Sequence, residues 1–390
     1  MVVRNLRAWG RMSLVGLAAL LIGLSLGIRS AAALDTSARE AFVIDLSTDT
    51  VLLSKDADQV MPPASMSKIM TMYLVFERLK NGSLKLDDEL PVSEKAWRMG
   101  GSKMFVEVGN RVRVEDLIRG IVIQSGNDAC VVFAEAIAGS EEAFAAKMTE
   151  KARELGMETS QFANATGWPN PNHYMTAREL AMLGAALIRD FPEYYHYFAE
   201  TEFTWNDIKQ HNRNPLLYQG IPGVDGLKTG HTEEAGYGLT ASAERNGRRI
   251  LVVVNGLASD RARAEEAGRL LEWAFREFES RELFTAGETV ESVETWMGTA
   301  DQVALTSNED IRVTLPRSRS SDVTVKVTYE GPVQTPIEKG QHIADLRIEA
   351  EDMEPIVYPL VAADAVERQG PIGRFFTGIT HMVLGSAGIN

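Results

Sequence analysis

The chain has 390 residues, 45% of them hydrophobic and 24% charged, which is long enough for more than one domain and too apolar for a disordered chain. Its 54 acidic residues against 40 basic ones give a formal net charge of −14, and such a surface argues against nucleic acid as a ligand, because phosphate binding needs a basic face. The lone cysteine, Cys130, excludes an intramolecular disulfide and reads as a small buried hydrophobe in the apolar stretch Asp128-Ala-Cys-Val-Val-Phe133.

Arg4, Arg7 and Arg11 precede an uncharged apolar run, Met12 to Ile28, followed by Ala31-Ala32-Ala33. A basic start, an apolar middle and an A-x-A site make residues 1–33 a secretory signal peptide. The competing reading, a retained membrane span, is disfavoured because the run is shorter than the roughly 20 residues a span needs and Arg29 ends it. Removing the leader takes away four arginines and no acids, leaving 36 basic residues against 54 acidic ones, a net −18.

Residues 39–56 read as a strand pair, Ala41–Asp45 and Val51–Leu53 around Ser47-Thr-Asp49. After Met61-Pro-Pro-Ala-Ser65, apolar residues at Ile69, Met70, Tyr73, Leu74 and Leu79 fall at helical spacing, so Ser65 belongs at or near a helix N-terminus. Helical stretches are expected at about 114–124, 128–138, 141–155 and 176–189, strand-like runs at 223–243 and 249–256, and an amphipathic helix near 262–279. Strands at both ends with helices between predict an α/β or α+β sheet domain over residues 34–283. From about 284 the pattern becomes short alternating runs such as Ile311–Leu315 and Val323–Tyr329, a small all-β domain to residue 366. Val366–Pro371 reads as a linker. Ile372, Phe375, Phe376, Ile379, Met382 and Val383 then share one helical face. That face suits an interfacial amphipathic helix lying on a membrane, slightly ahead of the plainer reading as a terminal helix docked on the β domain.

Three short motifs occur in order: Ser65-Met-Ser-Lys68, Ser125-Gly-Asn127 and Lys228-Thr-Gly230. On a helix, positions i and i+3 share a face, so Ser65 and Lys68 project together. A serine hydroxyl needs a base to become a nucleophile, and a lysine serves if burial and nearby positive charge lower its pKa. The plainer alternatives are Ser65 or Ser67 as an N-cap, Ser125-Gly-Asn127 as a turn between helices, and Lys228-Thr-Gly230 as the end of an edge strand among Gly223, Gly226 and Gly230.

Together the motifs resemble those of the penicillin-recognising serine enzymes, S-x-x-K, S-x-N and K-T-G. Within that group the chain is similar to the class C low-molecular-mass penicillin-binding proteins, the D-alanyl-D-alanine carboxypeptidases of the penicillin-binding protein 5/6 type. Pro63–Thr71, Leu117-Ile-Arg-Gly-Ile, Gln124–Cys130 and Val224–Thr232 carry the likeness, as do the β-rich second domain and the amphipathic tail. The resemblance implies a β-lactamase/transpeptidase-like catalytic domain. It implies that Ser65 attacks the penultimate D-alanine carbonyl, that Lys68 takes its proton, and that Ser125 and Lys228 relay a proton to the leaving nitrogen. Asn127 holds the substrate amide, the backbone N–H groups of Ser65 and His231 form the oxyanion hole, and the substrate carboxylate meets Thr229 and an arginine. Arg263 matches that arginine, with Arg261 close by. Gly230 completes the third motif. No cofactor or metal is called for. The implied partners are peptidoglycan stem peptides ending in D-Ala-D-Ala, β-lactam antibiotics, and the outer face of the cytoplasmic membrane through the tail; the implied location is the periplasm.

A β-lactamase shares the three motifs. The nearest look-alike to its deacylating glutamate, Glu202-Phe-Thr-Trp-Asn206, alternates like a strand. The sole G-x-S-x-G, Gly23–Gly27, lies in the leader, and no H-E-x-x-H occurs. A further alternative is a non-catalytic peptidoglycan-binding protein that kept the fold.

Overall fold

The computed structural model describes residues 2–6, 35–319, 324–349 and 354–371. They fall into two compact units, one within residues 29–276 and one built from residue 277 onward together with the strand Val2–Leu6.

The first unit is organised on a five-stranded antiparallel sheet. β1 (Glu40–Asp45) and β2 (Thr50–Lys55) form the expected hairpin. The run expected at 223–243 divides into β3 (Val224–Thr232) and β4 (Gly236–Arg245), and β5 (Arg248–Leu257) completes the sheet in the order β2-β1-β5-β4-β3. The break between β3 and β4 is chemical: Thr232 Oγ1 accepts the Ala235 N–H at 3.0 Å, and Gly236 takes φ 71°. β5 is central, so Ile250 to Val254 are wholly buried on both faces, and its β-branched run needs no polar alternation.

Helices α1 (Lys68–Lys80), α2 (Val114–Val122), α3 (Asn127–Ala138), α4 (Glu141–Glu154), α5 (Ala177–Asp190) and α6 (Asp260–Glu277) lie where the periodicity put them, within a few residues. Ser140 and Thr176 cap α4 and α5, each accepting an N–H three residues on at 3.1 Å. α1 is apolar on every side and correspondingly buried, from Lys68 through Phe76. α5 packs on the sheet through Gly184, where an added Cβ would stand 3.1 Å from Leu251 Cδ1.

The second unit is all-β. Its larger sheet runs Val2–Leu6, Thr324–Tyr329, His342–Glu349, Ile356–Ala362, Gln302–Thr306, Thr289–Trp296, Val333–Gln334. Val303, Leu305, Val327, Leu346 and Leu360 form its core. Two expectations are corrected here. Phe278–Phe284, read as a helix end and the close of the first domain, is a strand paired with Ile311–Pro316. Phe278 follows Ala274 at helical spacing, so sequence periodicity ran past the true end of α6. The presumed linker is also bound: Ile337 and Val366 exchange both N–H···O bonds at 2.9 Å, and Gln369 N–H reaches the Met297 carbonyl at 2.8 Å. Its polarity suggested a tether, but its backbone groups find partners. The core and cleavage site of the leader, and the tail from Ile372, lie outside the described residues.

Leu251→Ala should cost about 2–5 kcal/mol of stability, since it empties the space between α5 and the central strand. Urea unfolding measures this; a loss under about 1 kcal/mol would contradict the packing described.

Candidate active site

The turn Ala64–Ser67 is a single 3-10 turn that leads into α1. The N-cap of α1 is Ser67, whose hydroxyl donates back to the Ala64 carbonyl at 2.8 Å and caps nothing. Ser65 is likewise no cap, because Lys68 Nζ donates to its Oγ at 2.8 Å. The same ammonium donates to the Thr166 carbonyl at 2.5 Å. Lys68 is fully buried, and that burial brings its pKa down to about 8; Arg213 pushes the same way, while Cys130 and Asp128 oppose. A neutral amine beside a hydroxyl is therefore within reach near physiological pH.

The second motif is fixed by α2 and α3. Ser125 sits between them in the left-handed region at φ 65°, and its buried Oγ has no hydrogen-bond partner among the described residues. Asn127 begins α3 and donates through Nδ2 to the Gly100 carbonyl at 2.9 Å. Asp128, one residue on and wholly buried, accepts N–H groups from Met104, Phe105 and Val106 at 3.0, 2.9 and 3.2 Å. It thus pins the loop that carries Ser102 over the cleft.

The third motif lies on β3, an edge strand. At Gly230 an added Cβ would stand 2.9 Å from the Pro63 carbonyl, so this strand approaches the turn of Ser65 as only glycine allows. Lys228 is buried and held well below its usual pKa, by burial first and then by Lys68 and Arg213. Ser65, Ser125, Thr229, Gly230, His231 and Arg263 line one cleft of about 460 Å3. Arg263 is buried on α6, donates to the Gly230 carbonyl at 3.4 Å and is ion-paired with Asp260. Arg261, the alternative, is exposed and paired with Glu265 at 2.7 Å.

Arg213 was not singled out from sequence. It lines the cleft, bonds the Ser102 hydroxyl and bears on both lysines, yet it follows a surface hairpin in a polar stretch with no motif around it. Tyr237 was missed as well, because it sits in a strand-like run that marks no cleft residue; it stacks on His231 at 3.9 Å and lies under Arg263 at 5.7 Å. Glu202, weighed as a deacylating base, is on the strand Glu202–Trp205, half-exposed and paired with Lys209 at 2.8 Å. Cys130 is wholly buried, and burial pushes its thiol up to about 12.

Residues 28–258 match the D-alanyl-D-alanine carboxypeptidase family, and residues 278–368 match the penicillin-binding protein 5 C-terminal domain. The chain is 39% identical to D-alanyl-D-alanine carboxypeptidase DacC of Escherichia coli (strain K12), over 86% of each chain. It is 34% identical to penicillin-binding protein 5 from Haemophilus influenzae, covering 86% of this chain and 98% of that one at a TM-score of 0.78. Penicillin-binding protein D2 from Listeria monocytogenes, solved in its ampicillin-bound form, is 31% identical, covering 62% of this chain and 99% of that one at a TM-score of 0.57.

Lys68 carries a stability cost. Between pH 8 and its ordinary value near 10.5 the unfolded chain binds more protons than the folded one, so stability rises with pH there, and the full penalty stands below 8. Lys68→Met should therefore raise stability by about 1–3 kcal/mol at pH 7. Thermal unfolding at pH 7 and 10 checks this, since the gain must shrink at the higher pH.

Proposed function

The chain belongs to the D-alanyl-D-alanine carboxypeptidase family and is a serine-type peptidase of that activity; from that premise we propose how its residues divide the work. Ser65 is the nucleophile. Its Oγ attacks the carbonyl carbon of the penultimate D-alanine as the proton passes to neutral Lys68 Nζ. The backbone N–H groups of Ser65 and His231 hold the oxyanion, a contribution typically worth about 3–4 kcal/mol per donor. The C–N bond then breaks, and the leaving nitrogen takes its proton through Ser125 and Lys228, forming the acyl-enzyme. Water attacks the ester with Lys68 again as base, and Ser65 recovers its proton. Asn127 orients the substrate amide, while Thr229 and Arg263 receive the free carboxylate of the leaving D-alanine. The 2.8 Å contact between a buried lysine and Ser65 carries this reading. Ring opening of a β-lactam by Ser65 follows the same acylation path.

The domains divide accordingly: a leader over 1–33, a catalytic domain that closes at Arg276 rather than at 283, a β-rich domain from Glu277 through the bound stretch at Gln369, and a tail from Ile372. The leader exports the protein, and the tail's apolar face holds it on the outer face of the cytoplasmic membrane, in the periplasm. The basic start and apolar run of the leader, and the helical spacing from Ile372 to Val383, support that address.

If neutral Lys68 is the base, penicillin acylation of the wild type should rise about tenfold per pH unit below 8 and level off above it. Ser65→Ala should take no label and release no D-alanine from a pentapeptide ending in D-Ala-D-Ala. A flat profile from pH 6 to 9, or labelling of Ser65→Ala, is inconsistent with these roles.

Removing residues 372–390 should shift the leaderless protein from the floating to the soluble fraction when it is spun with anionic phospholipid vesicles. Unchanged flotation would rule out the tail as the anchor.

A further inference from the structure

Tyr237 has no place in the proton path or the oxyanion hole described above, yet it lines the cleft at a prepared position. It stands on β4 directly opposite His231 of β3, between Gly236 and Gly238, which pair with Thr232 and Gly230. Neither glycine readily takes a side chain. Gly236 has φ 71°, and at Gly238 an added Cβ would stand 2.6 Å from Met66 Cε and 2.7 Å from Asn255 Oδ1. Tyr237 is therefore the one side chain that this end of β4 presents.

The other edge of β4 meets an irregularity. Tyr237 pairs with Leu257 of β5, whose register shifts between Val254 and Leu257, with Gly256 at φ 74°. A bulge raises the local twist and re-aims the side chains around it. The same stretch leads directly into α6, which starts at Asp260 and carries Arg263. The backbone that sets Tyr237 is thus continuous with the backbone that sets the arginine.

Arg263 is sparsely held for a buried guanidinium. It reaches the Gly230 carbonyl at a long 3.4 Å and pairs with Asp260, whose own side chain is exposed. Its Nε has no hydrogen-bond partner among the described residues. Hydrogen bonds of a guanidinium lie in its plane, so whatever covers its face controls its tilt. Arg263 lies over the Tyr237 ring at 5.7 Å, within cation–π range. That ring is stacked in turn on His231, with centroids 3.9 Å apart and planes 30° from parallel. One aromatic ring therefore links Arg263 to the residue after Gly230.

We propose that Tyr237 is a positioning residue: its ring sets the Arg263 guanidinium for a carboxylate, and so makes the enzyme demand a free C-terminus on the residue it releases. The proposal rests on the carboxypeptidase reading, in which Thr229 and Arg263 receive that carboxylate. A fork of two N–H groups fits a carboxylate in one orientation, and a tilt of the guanidinium spoils the fit. Without the ring, Arg263 keeps its charge and loses the surface that fixes its plane. The loss then falls on substrates that end in a carboxylate and spares those that end in a neutral group.

The test compares Nα,Nε-diacetyl-L-Lys-D-Ala-D-lactate with the same depsipeptide ending in D-lactamide; the ester linkage keeps turnover of the neutral partner measurable. The wild type should prefer the acid in kcat/KM. In Tyr237→Leu that preference should fall roughly three- to tenfold, the range of a partly desolvated cation–π contact, while kcat/KM for the amide changes far less. Tyr237→Phe keeps the ring and should keep the preference. A ratio is insensitive to loss of folded enzyme, and damage to the fold or the oxyanion hole would slow both substrates alike. An undiminished ratio in Tyr237→Leu, or a fall in Tyr237→Phe as large as in Tyr237→Leu, overturns the proposal. Failure of the wild type to turn over either depsipeptide, or to release D-alanine from D-Ala-D-Ala peptides, would instead strike the carboxypeptidase reading itself.

Discussion

The centre of the first unit answers to one electrostatic constraint: Lys68 is buried without a carboxylate in hydrogen-bond contact, its ammonium bonded to the Ser65 hydroxyl and the Thr166 carbonyl. A buried charge held by neutral acceptors is poorly stabilised, and the amine responds by giving up its proton more easily. The N-terminal end of α1, where Lys68 sits, works in the same direction. Arg213 adds to the pressure on Lys68, and Lys68 in turn helps hold Lys228 down, so a cation of the cleft tunes the base as well as confronting the substrate. This arrangement sacrifices stability for a lysine able to accept a proton near neutrality.

Such a site works only if its parts hold still. Two polar hubs supply that rigidity: Asp128 gathers three N–H groups of the loop beneath Phe105, and Asn164 gathers three from the loop ending at Trp168. Each replaces water with fixed partners for backbone that no sheet or helix satisfies. Ala64 and Ser125 both take positive φ, at 49° and 65°, one beside the nucleophile and the other in the second motif. Left-handed backbone at non-glycine residues is costly, and these two instances fall where the hydroxyls of Ser65 and Ser125 are positioned.

Charge is distributed with the same logic. The chain as a whole is strongly acidic, yet Arg213 and Arg263 line one cleft, and the buried Lys228 feels both of them and Lys68. A local positive field inside a negative surface draws a free carboxylate to one place. Arg263 is kept available by orientation: Asp260 and the Gly230 carbonyl hold part of the guanidinium, while its Nε stays buried without a hydrogen-bond partner among the described residues.

The local signals were legible because they depend on neighbours in the chain. The hairpin around Asp49, the periodicity of α1 to α6 and the three motifs all involve residues within a few positions of each other. The end of α6 and the bound stretch after Val366 were not, because their partners, Ile311–Pro316, Met297 and Ile337, lie far away in sequence. Sequence alone determined which chemical groups the enzyme possesses, a serine and a lysine one helical turn apart and two further motifs in order. Only the tertiary structure decided that Lys68 is dry, that Arg263 rather than Arg261 reaches the cleft, and that Arg213 and Tyr237 belong to it. Burial and long-range approach follow from how the helices and sheet pack, and no local spacing encodes them.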